Sequence, residues 1–245
     1  MRHRILLALA AAAGLYAQAL GALQAAKAAA PFDITGYWVS VVNEDWLYRM
    51  VTPDKGDYTG VPINAEGRKV ADAWDPARDE AAGNQCKAYG AAAVMRVPGR
   101  LHITWQNDNT LRIDTDAGTQ TRLFDFFRRP YGPGNGGDWQ GTSTAEWELL
   151  RAGRGGGGPV LGGSLKVVTT KMKPGYLRKN GVPYSANTVL TEYYDRLNEP
   201  NGDTWLIVKT IVDDPQYLQQ PFITSSNFKK IPDASAWNPS PCTAR

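Results

Sequence analysis

Residues equipped for chemistry are scarce in this sequence. Histidine occurs twice, at His3 and His102. His102 falls in Arg100-Leu101-His102-Ile103-Thr104-Trp105-Gln106, on the opposite phase from Leu101, Ile103 and Trp105. An imidazole on a cavity-facing phase titrates near neutrality and suits general acid/base work beside a carboxylate such as Asp114. On a solvent-facing phase it is only a strand histidine. The second constellation is Glu192-Tyr193-Tyr194-Asp195-Arg196, where Glu192, Tyr194 and Arg196 share one face of a strand. That set would orient a carboxylate or enolate inside a barrel; facing water, it would be a charged ladder with cross-strand pairs. Third, Glu146 and Glu148 flank Trp147 on one face, and two close carboxylates split their pKa values into an acid and a base. A Ser-His-Asp triad would have to be built on His102, and no G-x-S-x-G elbow supports it.

Metal and cofactor chemistry find little support. A three-histidine zinc site is impossible with so few histidines. Asp114, Asp116 or Asp213-Asp214 offer oxygen ligands without the spacing of a calcium loop. Gly132 to Gly137 and Gly153 to Gly158 both match G-x-G-x-x-G, but each is followed by a strand pattern, and a dinucleotide site needs a helix there. We expect loops, no metal and no cofactor.

The N-terminus explains the rest of the bulk chemistry. A basic start, Met1-Arg2-His3-Arg4, precedes an apolar run from Ile5 to Tyr16 and small residues up to Ala30, with A-x-A cleavage after Ala28 or Ala30. Residues 1–30 therefore read as a signal peptide, and 31–245 as a single periplasmic or secreted domain. Of the 27 basic residues, Arg2, Arg4 and Lys27 leave with the leader, so 24 face 24 acidic ones. A near-neutral domain argues against nucleic acid or an anionic membrane as partner. In an oxidising compartment Cys86 and Cys242 are expected to pair, pinning the C-terminal tail to the barrel body, for about 5 kcal/mol at most on loop entropy.

These groups must be positioned by strands. Period-two alternation recurs at Tyr37–Val42, Arg100–Gln106, Thr110–Asp116, Thr119–Phe127, Thr142–Leu150, Leu165–Lys171, Val189–Leu197, Trp205–Val212 and Ile223–Phe228. Asn107-Asp108-Asn109 and Pro200-Asn201-Gly202-Asp203 supply turns. Helical signal is confined to residues 64–83: Asn64 caps a helix reaching Trp74, with Val70 and Trp74 on one face, and Asp75-Pro76 starts another. The fold class is all-β, an antiparallel barrel with a short helical insertion near 64–83.

Asp33-Ile34-Thr35-Gly36-Tyr37-Trp38 opens the first strand, and its Gly36-x-Trp38 resembles the G-x-W of lipocalins and other calycin barrels. The resemblance implies that Trp38 closes one barrel end and packs on a cation from a late strand, Arg196 or Lys229. The helix falls earlier than in lipocalins. The chain is also similar to a broad group of exported bacterial proteins of unknown function, through segments such as Met95-Arg96-Val97-Pro98, Pro183-Tyr184-Ser185 and Asp214-Pro215-Gln216-Tyr217.

The leading expectation is an exported barrel that binds a small hydrophobic or aromatic molecule, lined by Trp105, Trp147, Glu146 and Tyr184; the 8 Trp and 11 Tyr suit such a pocket. The alternatives are a cofactor-independent isomerase, lyase or hydrolase using His102, Glu192, Tyr194, Arg196 and Asp114, or an envelope protein with a filled barrel.

Overall fold

A computed structural model describes residues 24–127, 136–153, 155 and 157–245. Most of the leader and most of the first glycine-rich stretch lie outside the described residues. Strand β1 (Gly36–Val41) starts after an Asp33 turn, in which the Asp33 carboxylate accepts the Thr35 N–H at 2.8 Å. A helical insertion follows: α1 (Trp46–Met50), α2 (Ala65–Asp72), α3 (Pro76–Ala81), a 3₁₀ turn (Gln85–Tyr89) and α4 (Ala91–Val94). The remaining strands are β2 (Arg100–Asn107), β3 (Thr110–Thr115), β4 (Gln120–Asp125), β5 (Thr142–Arg151), β6 (Val160–Thr170), β7 (Gly175–Tyr176), β8 (Pro183–Tyr184), β9 (Val189–Asn198), β10 (Thr204–Asp213) and β11 (Phe222–Ile231).

Nine strands close into a barrel in the order β1-β11-β10-β9-β6-β5-β4-β3-β2, and β7-β8 form a separate hairpin. A closed ring of nine cannot alternate direction throughout, so one neighbouring pair must run parallel. That pair is β4-β5, with Phe124 opposite Ser143 and Asp125 opposite Thr144. Parallel neighbours need a crossover rather than a tight turn, and residues 126–141 separate the two strands in the sequence. The alternation thus gives the barrel correctly and misses one pairing direction. A closed nine-strand barrel is compatible with a calycin-like architecture.

The interior is packed with side chains. Trp38, Ile103, Ile113, Phe124, Leu165, Val208 and Phe228 are all buried in one cluster that fills the space between the walls. Trp38 donates from its indole Nε1 to the Ile34 carbonyl at 2.9 Å, and the Lys230 ammonium lies 5.4 Å from its ring centre. The cation expected on Trp38 is therefore Lys230. Alternation along β11 puts Lys230 on the phase of Phe228, whereas Lys229 faces outward to Asp203 at 2.8 Å. Arg196 instead donates to the Asp33 carbonyl at 2.8 Å.

Each end is covered. At one, residues 24–35 cross the opening: the Ala26 N–H donates to Asn109 Oδ1 (2.9 Å), and Trp147 Nε1 donates to the Ala26 carbonyl (2.9 Å). Residues 24–30, which the leader assignment would remove, thus lie against the barrel. At the other end, the insertion packs Tyr58, Ile63, Ala71 and Ala92 on Leu177, Tyr184 and Phe222.

The insertion holds more helix than the sequence pattern suggests. The Asn64 cap accepts from Gly67 N at 2.9 Å, and Asp75 caps α3 with Pro76 behind it, as expected. The face of α2 differs: Gly67 and Ala71 point inward and Val70 is exposed, because a Cβ on Gly67 would meet the Tyr217 carbonyl oxygen at 2.7 Å. Helices α1 and α4 are too short for a period to register, and α4 is apolar all round. Cys86 and Cys242 are disulfide-bonded. The bond fastens the tail to the insertion, and Ser240 N–H donates to the Asp116 carbonyl on the barrel rim at 2.9 Å.

Candidate functional site

The predicted acid/base residues are divided by the barrel wall. Glu192 and Tyr194 point inward, with Glu192 taking a two-pronged ion pair from Arg122 of β4 (Nη2 to Oε2 2.6 Å, Nη1 to Oε1 2.9 Å). Tyr194 Oη donates to Glu192 Oε1 at 3.2 Å, and Thr169 receives Arg122 Nη2 at 3.3 Å. Arg122, Glu192 and Tyr194 are fully buried. Burial pushes the Tyr194 phenol well above its ordinary pKa, with the Glu192 charge adding to the shift. Strands β4 and β9 are not neighbours in the ring, so this pair bridges the lumen. It acts as a fully buried strut across the barrel, with the Arg122 Nε left without a partner.

His102 stands on the outer wall, stacked on Tyr37 with ring centres 4.1 Å apart, and pairs in register with Asp114. Asp114 is bound by Arg112 (Nε to Oδ2 2.7 Å) and Thr121. Burial raises its pKa, but those two hydrogen bonds outweigh it and leave the carboxyl below its ordinary value. Arg196 sits at the strap-covered end. Glu146 and Glu148 face solvent and share Lys166 at 3.1 and 3.0 Å, so they form an ion-pair cluster rather than an acid and a base. Trp147 turns inward at the end covered by residues 24–35, beside Phe126 and Phe32; Trp105 packs there against Phe126 with the rings tilted by 32°. Tyr184 is wholly buried beneath the insertion. These ligand-lining candidates are therefore at opposite ends.

The structure gathers a different set of residues. Between the insertion, the β7-β8 turn and the tail lies a cavity of about 310 Å³, lined by Arg49, Arg96, Arg178, Tyr48, Tyr89 and Leu177 among others. All three arginine residues are more than nine-tenths buried. Arg49 leaves α1, which starts at Asp45; Asp45 has the left-handed φ of 49° and accepts the Arg49 N–H on its carbonyl at 3.0 Å. The Asp45 carboxylate takes Arg96 Nη2 at 2.9 Å, and Arg49 Nε donates to the Arg96 carbonyl at 2.9 Å. Arg178 projects from the β7-β8 turn, which Asn180 fastens to the Asp57 carbonyl (2.8 Å). It donates from Nη1 to the Thr59 carbonyl (2.7 Å) and lies 4.8 Å from the Tyr48 ring centre.

That accounting leaves donors over. Arg49 Nη1 and Nη2 and Arg178 Nε and Nη2 are buried with no partner. Buried guanidinium N–H groups are normally satisfied, and each one left unmet costs about 1–3 kcal/mol or more. Burial, and then the neighbouring Arg96, lowers the Arg49 pKa to about 10; the same two causes lower that of Arg178. Three cations thus face one ion-paired carboxylate, Asp45. Such a cavity is electrostatically complementary to an anion, with planar guanidinium forks that fit carboxylate or phosphate oxygens.

Sequence reasoning missed this set because its members are far apart and the overall charge is balanced. One local signal exists: each arginine interrupts or ends an apolar run, in Trp46-Leu47-Tyr48-Arg49-Met50, Val94-Met95-Arg96-Val97 and Tyr176-Leu177-Arg178. Among the described residues no group of three or more His, Cys, Asp or Glu is arranged to hold a metal, and no helix is long and apolar enough to cross a membrane. No family model, curated protein or solved structure matches the chain.

Proposed function

We propose that the chain is an exported binding protein for a small organic anion, a carboxylate or phosphate, held in the arginine cavity against the end of a calycin-like barrel. The observation carrying this reading is the four unpartnered guanidinium nitrogens on Arg49 and Arg178. The aromatic ligand class expected from composition finds its counterpart in Tyr48 and Tyr89 of the same cavity. The filled barrel is then a rigid scaffold, as the Gly36-x-Trp38 resemblance to lipocalins would have it, with the binding site moved from lumen to rim. Export is supported by the N-terminal leader pattern and the disulfide. The test is calorimetric titration of the protein with inorganic phosphate, sulfate and benzoate. Saturable binding lost in both Arg49→Met and Arg178→Met supports the proposal; heats that neither variant alters refute it.

One observation favours a second reading, a cofactor-independent isomerase or lyase. The Tyr89 phenol, although raised by burial, ends below its ordinary pKa because hydrogen bonding from Lys179 and Thr243 more than offsets that. The Lys179 ammonium lies 4.8 Å from the Tyr89 ring centre, and both residues line the cavity. A phenol so placed would exchange a proton with an anion held by the arginines. Turnover abolished in Tyr89→Phe while anion binding persists would favour it.

A further inference from the structure

Helix α1 has an unexplained surface. Trp46, Leu47, Met50 and Val51 are 61%, 51%, 60% and 62% exposed, although all four are large and apolar. Trp46 and Met50 are four residues apart on the helix, and Leu47 stands four before the C-cap residue Val51, so the four form one stripe along the helix and its end. Other exposed apolar residues, such as Leu161, Leu197 and Ile223, lie on the strands of the barrel. The α1 stripe is the one that abuts buried cations: Arg49 belongs to the same short helix, and Met50 lines the cavity beside it. An apolar face thus adjoins a recess with unpartnered donors, and the two together have the polarity of an amphiphile.

Resting on the proposed anion site, we infer that its ligand is a single-chain amphiphile, with an anionic head among Arg49, Arg96 and Arg178 and an apolar chain laid over Trp46, Leu47, Met50 and Val51. Charge complementarity fixes the head end. Of the four stripe residues only Met50 lines the cavity, and it is 60% exposed, so a chain would pass from cavity to stripe across Met50 instead of folding back into the packed barrel. Each methylene covered by the stripe is expected to tighten binding by about fourfold at most, the equivalent of about 0.8 kcal/mol.

The experiment is calorimetric titration of the intact protein with straight-chain carboxylates from acetate to dodecanoate, below their micelle concentrations, with sulfate as the headgroup-only probe. Affinity is expected to climb about two- to fourfold per methylene and to level off once the stripe is covered. In Trp46→Ser/Leu47→Ser, whose sites are more than half exposed, the slope against chain length should flatten by more than half. A bromine-labelled dodecanoate should quench tryptophan fluorescence, and that quenching should shrink in Trp46→Phe. Affinity independent of chain length, with sulfate still bound through Arg49, overturns the amphiphile inference and leaves the anion site standing. Absence of any binding, sulfate included, overturns both. A dimer that Trp46→Ser/Leu47→Ser dissolves, or sedimentation with anionic vesicles that the same variant loses, assigns the stripe to another occupant and overturns the inference.

Discussion

Replacing Arg49 by Met should make the unliganded protein more stable and deprive it of its ligand. Two Arg49 nitrogens, Nη1 and Nη2, are buried without partners. At about 1–3 kcal/mol each, their removal outweighs loss of the single hydrogen bond from Nε to the Arg96 carbonyl, worth about 1.5–3 kcal/mol. Relief of the Arg49–Arg96 repulsion acts in the same direction. A net gain of about 1–3 kcal/mol follows, in line with the neutral to stabilising outcome of replacing buried ionic groups by packed apolar ones. For a chain of this size each kcal/mol moves Tm by about 2–4 °C, so a rise of roughly 2–12 °C is expected. Thermal unfolding should be followed for both proteins with and without sulfate at a few millimolar. Wild type gains about 2.7 kcal/mol when the anion stands at 100 times its Kd; the variant's gain should fall to less than a third of the wild-type value. Comparing the two proteins cancels the general salting effect of sulfate. An unliganded variant that melts more than about 4 °C below wild type, with its sulfate response intact, would refute the reasoning.

Three further outcomes follow from the same structure. Glu192→Ala strands the Arg122 guanidinium in the barrel lumen and should cost about 3–5 kcal/mol by urea unfolding, with Glu192→Gln costing less; a loss below about 1 kcal/mol would mean the strut carries no load. Sulfate affinity should be constant from pH 7 to 9 and fall at least tenfold by pH 11. Arg49 loses its proton near pH 10 in the folded protein, and ionisation of Tyr89 adds a negative charge to the cavity. The stability of the unliganded protein has the opposite sign for Arg49: the unfolded chain binds its proton more tightly, so this contribution rises with pH above about 10. Calorimetry across that range checks it, and affinity that is flat to pH 11 would exclude Arg49 from the site. Reducing the Cys86–Cys242 bond should lower stability by about 2–5 kcal/mol and also weaken anion binding, because Ser240 of the tethered tail lines the cavity; parallel melting and titration curves in reductant test both halves.

The barrel was legible because each wall strand alternates strongly enough to mark its two faces. Which face lies inside was not, since polarity is mixed where it matters. On β4, Arg122 is buried on the phase of Phe124 while Leu123 is 44% exposed on the other; with one large apolar residue on each phase, an apolar-inside rule does not choose between them. The Glu192, Tyr194 and Arg196 grouping was a real shared face, but its partner Arg122 stands three strands away around the ring and leaves no periodic trace. The cavity was hidden for a related reason. Arg49, Arg96 and Arg178 come from three segments that meet only after the insertion folds onto the β7-β8 turn, and no spacing rule connects them. The disulfide was legible by elimination, since two cysteines have one pairing.

The position of β1 in the ring has a consequence for how the molecule comes into being. Tyr37 pairs with Ile231 on one side and with His102 on the other, so the opening strand is zipped between the second strand and the last. Until β11 has been made, the nascent sheet carries two raw edges, and edges of that kind recruit other chains. Contacts spanning nearly the whole chain also raise contact order, which places closure in the slow range of milliseconds to seconds. Folding must wait for the final strand, so a holding chaperone or prompt delivery across a membrane would protect the chain during synthesis.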